Sequence, residues 1–227
     1  MLVSGNAQNI TLFKDLPYDL VQQGLINSER LKIKKKQIVF EQGEIIENFY
    51  ISLTGLLKLS KKIDESVEVI HDIVGPNEII AGLLMFGTTE RYPVTLTAIT
   101  NSELIAVPKE TYRLYWSNNI KLIEKIQTQN QKRMLSMQEL RNGQKFKVEK
   151  RIAWIIKFYF KKISISDSLV ALTLSRQELS DLVGTTVEST IRVLSKWKKS
   201  GIVEVVDGRT IINTTKLDAV LNNPDSV

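Results

Sequence analysis

The chain has 227 residues, 43% of them apolar and 25% charged, the balance of a folded protein with room for one large domain or two modest ones. The absence of cysteine excludes disulfides, thiolate zinc sites and cysteine-ligated iron–sulfur clusters, and the absence of an 18-residue apolar run leaves no membrane span to expect. The formal net charge is +6, and +5 of it falls in residues 145–227, where 14 Lys and Arg stand against 9 Asp and Glu; that basic half is the footprint expected of a phosphate-binding surface.

The opening MLVSGNAQNI lacks the basic-then-apolar pattern of a secretion signal, so a cytoplasmic location is expected. A short helix is predicted near Leu16–Leu25. Short alternating runs follow at Lys32–Ile33, Ile38–Phe40, Phe49–Leu53, Leu56–Ser60, Val67–Ile73, Val94–Ile99 and Glu103–Val107. Gly43, Gly55, Gly75 and Gly82 punctuate them. Short strands at regular spacing with turn signals predict an antiparallel sandwich or jelly roll. The β-branched content of VEVIHDIV and VTLTAIT agrees.

From Lys109 to Leu140 there is no proline or glycine, and the composition becomes helical. Ile123, Ile126, Asn130, Met137 and Leu140 fit the a and d positions of a heptad, with Arg133 interrupting the d series and Met134 beside it. The stripe either packs on the β domain or forms a parallel dimer helix, in which Asn130 at an a position helps to fix register. Asn142-Gly143 marks a break, and a new apolar-rich helix is expected from Val148 to Phe160, with a hinge near residues 141–147.

The stretch LSRQELSDLVGTTVESTIRVLSKWKKSGIVEVVDGRTIIN carries the sharpest signal. Ser175 followed by Glu178 is a capping box, and Leu179, Leu182 and Val183 share one face of the helix it opens. Gly184 supplies a turn. Thr185 or Thr186 can cap a second helix, and Thr185 has Glu188 three residues on, a second capping-box spacing. That helix runs to about Lys199 and stops at Gly201, with Lys196, Lys198 and Lys199 where cations suit the dipole. VEVV-DG-RTIIN then reads as a hairpin about Asp207-Gly208. Two short helices, a tight turn and a hairpin make a winged helix-turn-helix, a device for placing one helix in the DNA major groove.

The second helix has a buried stripe, Thr190, Val193, Leu194 and Trp197, and an opposite face with Glu188, Ile191, Arg192 and Ser195. An arginine donates to guanine O6 and N7, a glutamate accepts from cytosine N4, and an apolar side chain packs on a thymine methyl. Glu188, Ile191 and Arg192 are these three types near the helix N-terminus. The competing reading, an ordinary surface pair of Glu188 and Arg192, is worth only a few tenths of a kcal/mol. Thr186, at the head of this helix, joins the candidate DNA contacts.

Taken together the chain resembles the Crp/Fnr family of bacterial transcription regulators over about residues 10–217. The marks are VFEQGE (Val39–Glu44), FYISLTGLLKL (Phe49–Leu59), GPNEIIAGLLMF before RYPVTLTA, and the helix-turn-helix with its wing. The resemblance implies an α+β protein: an N-terminal antiparallel, cyclic-nucleotide-binding-like jelly roll (1–108), a long dimerisation helix and hinge (109–143) and a C-terminal winged helix-turn-helix (144–227). It also implies a homodimer on double-stranded DNA at a near-palindromic operator, with RNA polymerase as a further partner. Glu188 and Arg192 fall where the family reads its half-site, which points to a TGA core. Val187 stands where many members have another arginine, as in the Fnr-like branch, and Ile191 where most carry a small residue. Arg176, Gln177 and Ser189 match phosphate contacts, which position the protein without reading sequence.

In cyclic-AMP-responsive members a Gly-Glu pair grips the ribose and an Arg-Ser pair holds the phosphate. Here the glutamate position falls on Gly82, or on Leu83 with a one-residue shift. Arg91 is followed by Tyr92-Pro93, and counting back from Ala98 places Tyr92 at the arginine position. Ser136 falls near the adenine-contacting position. The candidate effector residues Gly82, Leu83, Arg91, Tyr92 and Ser136 therefore offer no carboxylate and no dependable phosphate partner. The expectation is an unknown small-molecule effector or none, not cyclic AMP, and no cofactor. Fnr-type oxygen sensing needs cysteines, and haem needs an axial ligand; the single histidine, His71, reads as a structural strand residue. The alternatives are a haem-based gas sensor of the same family and a ligand-binding module acting through protein partners. No H-E-x-x-H, P-loop or nucleophilic triad is present, so an enzyme is not expected.

Overall fold

The computed structural model describes residues 10–14, 16–63, 68–85, 87–143, 145–160 and 168–222, without the side chains of 11, 136, 137, 139–143 and 158–160. The chain divides into two compact units, one of Met1–Lys61 with Ile73–Leu135 and the other of Lys62–Asp72 with Ser136–Val227.

The first unit opens with a 3-10 turn (Thr11–Phe13) and α1 (Tyr18–Gly24). The N-terminal β strands are β1 (Glu29–Ile33), β2 (Ile38–Phe40), β3 (Asn48–Thr54), β4 (Leu57–Lys62), β5 (Glu68–Val74), β6 (Ile79–Ile80), β7 (Thr95–Ala98) and β8 (Ser102–Pro108), of which β5 up to Asp72 is grouped with the second unit. They form two four-stranded sheets in the orders β1-β8-β3-β6 and β2-β7-β4-β5, and every pair of described register is antiparallel. Each expected run holds a strand among the described residues, Val67 lying outside them, and β6 is too short to show in the sequence. Phe49, Ile51, Leu57, Leu96, Leu104, Ile105 and Val107 are fully buried in one apolar core. Trp116 plugs that core edge-on to Phe49 and Phe13, and its indole N–H donates to the Gly24 carbonyl at 2.7 Å.

The helix expected to run unbroken from Lys109 is interrupted. α2 (Lys109–Thr111) passes into a π-helical turn, Tyr112–Trp116, and α3 (Ile120–Gly143) starts afresh. The reason is Asn119, whose side-chain carbonyl accepts the Leu122 N–H at 3.1 Å and so caps a new helix.

The face of α3 also differs from expectation. Ile126 is closed into the core of its own unit beside Leu122. Gln129 accepts from the Ile79 N–H and donates to the Asn77 carbonyl, both at 2.9 Å, and Arg133 donates to the Ile79 carbonyl at 3.0 Å. Residues 122, 126, 129 and 133 thus bind the β domain, and Ile126 is not a seam residue. The exposed apolar side is Ile120 and Met134, with Ile123 and Asn130 half-buried alongside. Met137 and Leu140 lie on α3, but their side chains fall outside the described residues.

The second unit holds α4 (Val148–Phe160), β9 (Leu169–Leu172), α5 (Arg176–Val183), α6 (Val187–Lys199), β10 (Val203–Val206), β11 (Arg209–Asn213) and α7 (Thr214–Leu221). Strands β10, β11 and β9 make an antiparallel sheet in that order. Ile152, Ala153, Ile155 and Ile156 of α4 are buried with Leu179, Leu194, Trp197 and Leu217. Lys157 of α4 pairs with Asp218 of α7. Sequence reading missed β9 and α7. LVAL alternates half-buried and buried, and the Asn213 side chain caps α7 by accepting the Lys216 N–H at 3.0 Å, so both had local signals.

Candidate nucleic-acid interface

The reading head is assembled from local interactions. The Ser175 hydroxyl accepts the Glu178 N–H at 3.1 Å and the Glu178 carboxylate accepts the Ser175 N–H at 2.8 Å, so the capping box of α5 is complete. Gly184 ends α5 at φ 68°, ψ 53°, in the left-handed region where a Cβ is disfavoured. Thr186 caps α6 by accepting the Ser189 N–H at 3.2 Å. The second capping box expected on Thr185 and Glu188 does not form: the cap is Thr186, which places Glu188 in the first turn of α6. The Asp-Gly turn of the wing has φ 49° at Asp207 and 73° at Gly208, the left-handed pair that a two-residue hairpin needs.

Burial separates the two faces of α6 as the periodicity predicts. Thr190, Leu194 and Trp197 are buried, and Val193 is half-buried. Glu188, Ile191, Arg192 and Ser195 are exposed, Ile191 at 47%. Neither Glu188 nor Arg192 makes a hydrogen bond or ion pair among the described residues, so the surface pair weighed against DNA contact does not form. The other candidates are partly engaged. Arg176 reaches Thr210 of the wing at 3.5 Å, Gln177 donates to Asp181 at 2.7 Å, and the Ser189 hydroxyl accepts from Thr186 at 3.1 Å. Lys196, Lys198 and Lys199 are exposed at the far end of α6.

A contact the sequence did not reveal joins α4 to this head. The Glu149 carboxylate accepts the Trp197 indole N–H and the Lys196 ammonium, each at 2.7 Å. Arg151 donates through Nη1 to the carbonyls of Val183 and Gly184, each at 3.2 Å. The separations of 32 to 48 residues put these pairs beyond any local pattern.

The effector candidates do not converge on a phosphate site. Gly82 is buried in a 3-10 turn (Gly82–Met85), where an added Cβ would lie 2.6 Å from Ile79. Leu83 is 52% exposed. The Arg91 guanidinium donates to the Gly43 carbonyl at 2.7 Å. Tyr92 is shut into the core: its ring stacks on Phe40 at 3.8 Å and its hydroxyl donates to the Asn48 carbonyl at 2.6 Å. Burial holds the Tyr92 hydroxyl well above the usual tyrosine range, with Tyr50 beside it adding to the shift. Ser136 lies on α3, its side chain outside the described residues. His71 is exposed on β5. These residues do not fit a cyclic nucleotide: no carboxylate stands at Gly82 or Leu83, and the arginine position holds a buried neutral ring.

A sheeted sensor-type domain and a capped winged helix-turn-helix on one chain define a class, the two-part DNA-binding regulators. Residues 30–118 match the model of the cyclic nucleotide-binding domain, and residues 150–220 match that of the Crp-like helix-turn-helix domain. The transcriptional activator protein anr of Pseudomonas aeruginosa is 25% identical over 182 residues, covering 75% of this chain and 71% of that protein. The CRP-like protein Clp of Xanthomonas oryzae pv. oryzae is 23% identical over 219 residues, covering 93% and 95%. In fold the chain is similar to FixK2 from Bradyrhizobium japonicum, with TM-score 0.73, 16% identity and coverage of 85% and 96%. It is also similar to the c-di-GMP responsive global regulator CLP of Xanthomonas campestris, with TM-score 0.71, 21% identity and coverage of 87% and 99%. The chain belongs to the Crp/Fnr family, whose members are transcription regulators rather than enzymes.

Proposed function

We propose that the protein acts in the cytoplasm as a homodimer on a near-palindromic operator, with α6 of each protomer in the major groove. The observation that carries this reading is the joint exposure of Glu188, Ile191 and Arg192 on the first two turns of a capped helix, two of them charged and without a partner among the described residues. Arg192 donates to guanine, Glu188 accepts from cytosine and Ile191 packs on a thymine methyl, so the half-site contains a TGA-like core. Arg176, Gln177, Thr186 and Ser189 hold phosphates. Residues 1–108 serve as the sensor domain, 109–143 as dimer helix and hinge, and 144–227 as the DNA-binding domain; regulation runs through RNA polymerase.

The dimer seam follows the free side of α3: Ile120, Ile123, Asn130 and Met134. Ile120 and Met134 support this, because they leave exposed apolar surface along that side of α3. The effector is a small molecule other than cyclic AMP, or none, because the sensor domain lacks the ribose carboxylate and closes Tyr92 inside.

Selection of random duplex DNA by purified protein, without added ligand, tests the reading. A two-fold symmetric motif with TGA-like halves one helical turn apart is expected, and cyclic AMP should leave the affinity unchanged. If no motif emerges, with or without a small-molecule extract, α6 does not read DNA.

A further inference from the structure

We infer that Glu149 and Arg151 of α4 are positioning residues for base recognition, Arg151 fixing the turn that leads into α6 and Glu149 fixing the C-terminal part of α6. The inference rests on the DNA-reading role proposed above and adds what holds the reading head to its scaffold.

Arg151 works at the leading end. The last carbonyls of a helix have no intrahelical donor and carry the negative end of the dipole. The Arg151 guanidinium supplies one donor to both Val183 and Gly184, the final α5 residue and the left-handed glycine beyond it. Two residues further on, Thr186 caps α6. The turn that aims α6 is therefore tied to α4. Glu149 works at the trailing end. One oxygen takes the indole N–H of Trp197, which is 1% exposed, and the other takes Lys196.

Length explains why both ends need holding. α6 has 13 residues and is about 20 Å long. Functional side chains must sit within about 0.5 Å of the productive geometry, whereas a tilt of about 10° about one end of such a rod moves the other end by roughly 3.5 Å. Packing of Thr190, Leu194 and Trp197 seats the buried face of α6, and polar anchors toward both ends fix its tilt more tightly than one alone. Arg151 and Glu149 lie two residues apart on one helix, so a single element sets both anchor points.

Both side chains are engaged with the helix-turn-helix itself, so their loss has a signature different from that of a DNA contact. The test measures affinity for the selected site, for variants changed at the guanine assigned to Arg192, and for unrelated duplex, across a salt series. The proteins are wild type, Glu149→Gln, Arg151→Lys, Arg151→Ala and each of these combined with Arg192→Ala. Arg151→Ala should lose about tenfold in specific affinity, keep non-specific affinity and salt slope, and lose nothing further at the variant base once Arg192 is absent. Arg151→Lys, which keeps the charge, should recover part of the discrimination even where the alanine variant folds poorly. Equal losses on specific and unrelated DNA, or unchanged discrimination in folded Arg151→Ala and Glu149→Gln, would overturn the inference. Wild-type protein that discriminates no site would overturn the DNA-reading role itself, and with it this inference.

Discussion

The indole N–H of Trp197, buried on α6, donates to the Glu149 carboxylate on α4 at 2.7 Å. A buried tryptophan needs a partner for that N–H, and leaving it orphaned costs about 1–3 kcal/mol. Glu149→Ala should therefore lower the unfolding free energy of the C-terminal unit by an amount in that range. Lys196→Ala should cost a fraction of it, because the lysine is exposed and surface pairs contribute little. Urea unfolding of both variants followed by circular dichroism reads the difference; equal losses would show that the indole bond is not the dominant part.

The position of the α6 cap separates two neighbouring threonines. Thr186→Ala removes the acceptor for the Ser189 N–H and should cost about 1 kcal/mol, whereas Thr185→Ala should cost much less. Thermal denaturation of the two variants side by side decides between them.

Base and phosphate contacts should part company in DNA binding. Arg192→Ala is expected to cost about 1–3 kcal/mol on the preferred site and to relax one base position. Lys199→Ala, at the far end of α6, should weaken all sequences alike, lowering the salt slope by about one if it touches a phosphate. Competition binding at several salt concentrations, with each base of the half-site varied in turn, measures both.

Alkaline stability is set in part by the N-terminal core. Burial pushes the Tyr112 hydroxyl up to about 12 from its ordinary 10.0. The folded state thus holds this proton more tightly than the unfolded chain does. The stability it contributes is complete below about pH 10 and drains away as the pH rises toward about 12. Tyr112→Phe should flatten that fall and remove one late-ionising phenol from an ultraviolet titration; loss of a phenol from the early part of the curve instead would show that Tyr112 ionises with the exposed tyrosines.

The legible parts of this molecule share a length scale. Ser175 and Glu178 close their box within one helical turn, and Asp207 and Gly208 make their own hairpin. The stripe of Thr190, Leu194 and Trp197 follows from a period of 3.6 residues. Sequence left the cap of α6 open between Thr185 and Thr186 because the two have the same side chain, and only the chain direction leaving Gly184 selects Thr186.

Chain-local chemistry by itself determined the strands of the sensor domain, the two helices, the turn, the wing and the face that presents Glu188, Ile191 and Arg192. Each depends on residues a few positions apart, whose geometry the backbone dictates. Tertiary structure alone decided the rest: Ile126 turned into its own domain, Tyr92 stacked on Phe40 where a cation was sought, and Glu149 and Arg151 reached 30 to 50 residues ahead to hold α6 and the turn before it. Those contacts join residues that the sequence keeps far apart, and no periodicity records which distant groups a buried polar side chain will meet.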